Sequence, residues 1–229
     1  MELITGMKTD DLIQRLGREG AAVTPLPTPS LRTGMWLIGA GAYLAAMTPF
    51  VWTVMSADTP AMSALFLGQQ TAAMVTGALA AYAALSSVVP GSRVSWRPML
   101  MASGAVWAIL LAIGMSRDLV TRGSMGFGAE TDWPCVALMT VGGAVLAVPL
   151  IRMLRRGAPF TPRCTAFLGG LGALSVASIE ACLARPHDYT ATVIMWHGAT
   201  LALLAGALAW TGRALFRSPD TTYGGSEAR

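Results

Sequence analysis

Charge is scarce in this chain. Only 12% of its 229 residues are Asp, Glu, Lys or Arg, about half the share of an ordinary soluble domain. That shortage excludes a water-facing surface over most of the length. Cysteine is scarce as well. The three thiols, Cys135, Cys164 and Cys182, include no CxxC pair, so they fit no zinc module. Isolated thiols also argue against a thiol–quinone oxidoreductase. Polar groups inside the apolar runs are few, and no broken-helix pair is duplicated along the chain, which argues against a transporter or channel.

What fills the sequence is apolar, in long uncharged runs. Six lie near 34–55, 62–86, 98–116, 134–152, 164–184 and 190–212. Each can cross a hydrocarbon core of roughly 30 Å, which takes about 20 helical residues. The predicted fold is therefore all-α, a polytopic membrane protein of six transmembrane helices. It divides into a segment 1–33, a membrane domain 34–212 and a tail 213–229. The first run follows some thirty polar residues, so a cleaved signal peptide is not expected.

Basic residues are placed unevenly. Of the 16, only Arg117, Arg122 and Arg185 fall on one side of the predicted hairpins; the other 13 share the opposite side with both termini. The positive-inside rule then puts both termini in the cytoplasm. The net charge of +4 belongs to turns facing anionic lipid, with no direct nucleic-acid contact implied. Trp36, Trp52, Trp96, Trp133 and Trp210 sit near span ends, where indole rings favour the interface. Trp107 and Trp196 lie deeper, where packing between helices is expected.

Ahead of the spans, Thr9 to Gly20 reads as a short helix. Thr9 suits the N-cap, Asp10 and Asp11 the first turn, and Leu12, Ile13 and Leu16 form one apolar face. A helix so short needs something to lean on: a soluble partner, the membrane surface, or nothing, leaving a loosely ordered tail. Pro25 to Pro29 reads as a stiff extended spacer. Met7-Lys8 offers a second start, with Met1 to Gly6 as an upstream extension.

The densest signal is Trp133 to Arg185. Two apolar helices flank a basic turn, Arg152 to Arg163, as in a membrane hairpin. Cys135 opens the first helix and Cys182 closes the second, at equal distances from the turn. Both thiols are thus expected at one depth on the outer side. They could form a disulfide or bind a soft metal ion, with His187, Asp132 or Asp188 nearby in sequence as further ligands; no other cofactor is expected. Glu180, two residues from Cys182, points to another face, toward His197, as a functional intramembrane pair or a structural hydrogen bond. Cys164 stands at the opposite membrane face. Stripes of small residues (Gly169, Ala173, Ala177, Ala181; Gly143, Ala147; Gly198, Ala202, Gly206) predict close packing of the last three spans.

Together, the Met7-to-Ile13 segment, Trp133-Pro134-Cys135, the Leu154-to-Pro159 turn, Cys182 and Trp196-His197 resemble the six-span anti-sigma proteins typified by the negative regulator of sigma-F. The resemblance covers nearly the whole chain from Met7, with Cys164 an addition to the pattern. It implies a multi-pass protein of the bacterial inner membrane that holds an extracytoplasmic-function sigma factor. It also implies that Asp10 to Leu16 lie in the sigma-contacting segment, and that Cys135 and Cys182 respond to oxidative or heavy-metal stress.

Overall fold

A computed structural model describes residues 26–55, 63–89, 95–123, 133–157, 159–184 and 189–216, with residues 9, 13, 14 and 17 of the N-terminal segment. The described residues form six long helices and no strand: α1 (Pro29–Met55), α2 (Ala64–Ser86), α3 (Trp96–Arg122), α4 (Trp133–Arg155), α5 (Pro162–Ala184) and α6 (Thr190–Leu215). All six are long and apolar enough to cross a membrane.

Helix ends follow local chemistry. Pro29 is the first residue of α1, so the expected spacer is shorter than the Pro25–Pro29 run. A proline needs no hydrogen bond in a helix's first turn, and the Thr28 hydroxyl takes up the Leu31 N–H at 3.4 Å. Ser63 caps α2 by accepting from the Phe66 N–H at 3.1 Å. α3 continues beyond the expected end near 116 and stops at Gly123. There φ is +68°, and the Gly123 N–H bonds the Leu119 carbonyl at 3.1 Å. The charges that end the apolar run do not end the helix, because Asp118 and Arg122 pair along one face at 3.7 Å.

Neighbouring helices run antiparallel, and α5 is the hub. Gly172 of α5 abuts the Gly77 carbonyl and Ala81 nitrogen of α2; Gly170 abuts Ala205 of α6; and Gly143 of α4 lies under Leu174. These glycines let three helices close on α5, where backbone contact replaces the hydrophobic driving force that lipid cannot supply. Gly198 and Gly206, by contrast, meet nothing within 4 Å. The expected stripe on α6 faces outward, and Ala205 and Gly212 make the close approach instead.

Polarity is arranged inside out. Arg32, Glu180, His197 and several Ser and Thr are buried, while Ile38, Met101, Leu203 and Trp210 are exposed. Such a surface suits hydrocarbon, and polar side chains gather in the bundle interior, some hydrogen-bonded across helices and others, such as Glu180, Thr76 and Ser175, with buried polar atoms that have no hydrogen bond among the described residues. The end of the bundle where α1 begins is the near end; the opposite end is the far end.

Candidate functional site

At the far end, α4, α5 and α6 bring the two expected thiols onto adjoining turns. Cys135 sits in the first turn of α4, fully buried with Met139 and Ala181. Its Sγ lies 3.9 Å from the Ala181 carbonyl, one residue before Cys182. Cys182 is half-buried, and its Sγ lies 3.6 Å from His197 Nδ1 on α6. Neither cysteine takes part in a disulfide. Cys164, exposed and likewise outside any disulfide, stands in the first turn of α5 at the near end.

The expected pairing of Glu180 with His197 is not found. Antiparallel packing of α5 on α6 gives His197 to Cys182, and Glu180 turns the other way. Its carboxyl lies over Gly142 of α4 and faces the Tyr43 hydroxyl of α1. A Cβ on Gly142 would stand 2.7 Å from the Tyr43 oxygen and 3.2 Å from Glu180 Oε2, so only glycine leaves room for both groups. Neither carboxyl oxygen has a regular hydrogen bond among the described residues.

Tyr43 is one of four contacts that tie α1 to the α4–α5 hairpin. From the near end, the Arg32 guanidinium donates to the Met153 carbonyl, and Trp36 Nε1 to Leu146 at 3.0 Å. Tyr43 faces Glu180, and Trp52 Nε1 donates to Leu183 at 2.9 Å. Trp36 is therefore buried inside the bundle. These contacts were missed from sequence, although four polar-tipped side chains along one apolar helix were a visible signal. Their acceptors are mostly backbone carbonyls, which carry no residue identity.

Beside Cys182 and His197 lies a cavity of about 200 Å³ between α2, α3, α5 and α6. Phe66, Trp107 and Ile194 supply apolar walls, and Gln69, Gln70 and Thr190 supply polar groups. Gln69 is committed, donating to the Leu110 carbonyl at 3.0 Å. Toward the far end, the Asp118 carboxylate accepts from the Thr190 N–H at 2.8 Å, and Arg122 stacks on Tyr189 at 4.7 Å, clasping α3 to α6.

No group of three His, Cys, Asp or Glu side chains that could hold a metal occurs among the described residues. His187, Asp132 and Asp188, the expected further ligands, lie outside them, as do Asp10, Asp11, Leu12 and Leu16. Ile13 is helical and exposed.

Six apolar helices with a polar, thiol-bearing interior define a polytopic membrane protein. The chain belongs to the family described as negative regulator of sigma F, whose sequence profile matches residues 16–217. It is 25% identical over 215 residues to the probable anti-sigma-F factor NrsF of Azospira oryzae, covering 92% of this chain and 100% of that relative. No solved structure matches.

Proposed function

We propose that this protein is a membrane-bound anti-sigma factor that holds an extracytoplasmic-function sigma factor against the bacterial inner membrane, with both termini in the cytoplasm. The observation that carries the reading is the family match, which spans all six helices. The N-terminal segment, Asp10 to Leu16, captures the sigma factor by laying an apolar helix face into a groove of the partner. The exposed Ile13 supports this. Release follows when Cys135 and Cys182 meet an oxidant or a soft metal ion.

A route for the signal lies along α1. Trp52 leans on Leu183, beside Cys182, and the other end of α1 carries the N-terminal segment. Reaction at the thiols shifts the 181–183 turn, weakens the Trp52 contact and lets α1 reseat. Such a physical coupling route requires the α1–α5 seam to take two arrangements.

Replacing Leu12 or Leu16 with Asp tests the capture step. Each change puts a charge on the apolar face and removes a contact of roughly 1.5–3 kcal/mol, a tenfold loss of affinity or more. Co-purification of the sigma factor from membranes reads the loss. Undiminished capture by both variants refutes the assignment.

A further inference from the structure

The two far-end thiols occupy different chemical environments. Cys135 is sealed, with 0% of its surface exposed. Cys182 opens onto the cavity and has an imidazole at 3.6 Å. A thiol reacts as its thiolate, and a neighbouring histidine that accepts the proton raises the thiolate fraction. The reactive thiol is therefore the one that has both access and a base.

The cavity also selects what reaches that thiol. Its lining includes Ile194 and Gly198, both exposed on the outer surface of α6. Its mouth thus faces the side where the helices meet hydrocarbon. A hydrated ion pays heavily to enter from there, whereas a neutral apolar molecule partitions in. In size, an apolar cavity of about 150 Å³ accepts benzene, so one of about 200 Å³ holds a single ring with two small polar substituents. The side chain of Gln70 makes no hydrogen bond among the described residues and is available to a carbonyl oxygen at the wall.

We infer that this cavity is a binding site for a small one-ring quinone, and that Cys182 traps it covalently with His197 as base. The inference rests on the reading of the far-end thiols as the sensor and names what they sense. His197 takes the Cys182 proton, and Sγ attacks a ring carbon conjugated to a quinone carbonyl. A carbon–sulfur bond forms, and the displaced π pair moves to the carbonyl oxygen. The hydrogen on the attacked carbon then leaves as a proton, and the ring becomes aromatic. The product is a thioether-substituted hydroquinone. Its two hydroxyl protons balance those lost from the thiol and the ring. The quinone is reduced by the electron pair that forms the new bond, so no further oxidant takes part. The adduct fills space beside Leu183, the acceptor of Trp52.

The test uses full-length protein in lipid nanodiscs, 1,4-benzoquinone as probe, and peptide mass spectrometry over time. Cys182 should gain one quinone before Cys135 does. His197→Gln should slow that gain by at least about tenfold, the lower range of general-base effects being larger still. Gly198→Leu, which adds bulk at a lining residue where a Cβ meets no atom within 4 Å, should slow it independently of the histidine. Equal labelling of both thiols, or labelling of Cys182 at the wild-type rate in both variants, overturns the site. A second arm follows sigma-dependent transcription after quinone or cadmium exposure. Loss of cadmium induction in Cys182→Ser without Cys182 labelling by quinone keeps the sensor reading and sinks this inference. Selective labelling with no release of the sigma factor keeps the quinone site and sinks the sensor reading.

Discussion

Adding one methyl group at Gly172 should loosen the bundle, whereas the same change at Gly198 should not. A Cβ at Gly172 would lie 3.0 Å from the Gly77 carbonyl oxygen, 3.1 Å from the Ala81 nitrogen and 3.3 Å from the Ala81 Cβ. Two of these atoms are helix backbone, so no rotamer change relieves the contact. Helix α2 must retreat as a body, and it is also packed against α1 and α3. Overpacking of this kind costs about 1–3 kcal/mol. Alanine's helix preference over glycine returns about 0.8–1 kcal/mol, which leaves Gly172→Ala destabilised by roughly 0–2 kcal/mol. Gly172→Val adds two more methyl groups, and a β-branched residue recovers less propensity, so its loss is larger. At Gly198 nothing stands within 4 Å, so Gly198→Ala keeps the propensity gain of up to about 1 kcal/mol. For a chain of this size each kcal/mol moves the unfolding midpoint by about 2–4 °C. Thermal unfolding of detergent-solubilised protein should therefore rank Gly198→Ala above wild type, then Gly172→Ala, then Gly172→Val. A Gly172→Val protein that melts with or above wild type would refute the claim that α2 and α5 meet at backbone distance.

Two further outcomes follow from the same contacts. Trp52→Phe keeps the ring but removes the donor to Leu183; it should cost about 0.6–1.5 kcal/mol and raise uninduced transcription from a sigma-dependent promoter, while an unchanged basal level would remove α1 from the signal route. Reporter fusions at Asp58 and at Arg229 should place the first outside and the second in the cytoplasm, and outward activity at the C-terminal fusion would contradict the orientation argued from the basic residues.

The six long helices among the described residues and their approximate ends were legible in the sequence, because hydrocarbon imposes a length and a composition on any segment that crosses it. Six uncharged runs became six helices, and local signals such as Pro29, Ser63 and Gly123 explain where several of them start or stop. The divergence of Glu180 from Cys182 was legible too, since residues two apart on a helix point to different sides. What each of them meets was not. These helices are apolar on nearly every side, so no polar stripe marks which face turns inward. Only the packed bundle makes α5 its centre and gives His197 to Cys182 and Tyr43 to Glu180. The cavity likewise exists only once α2, α3, α5 and α6 are assembled, because its walls come from segments far apart in the chain. Spacing along one helix sets where a side chain can point; the tertiary arrangement decides what stands there.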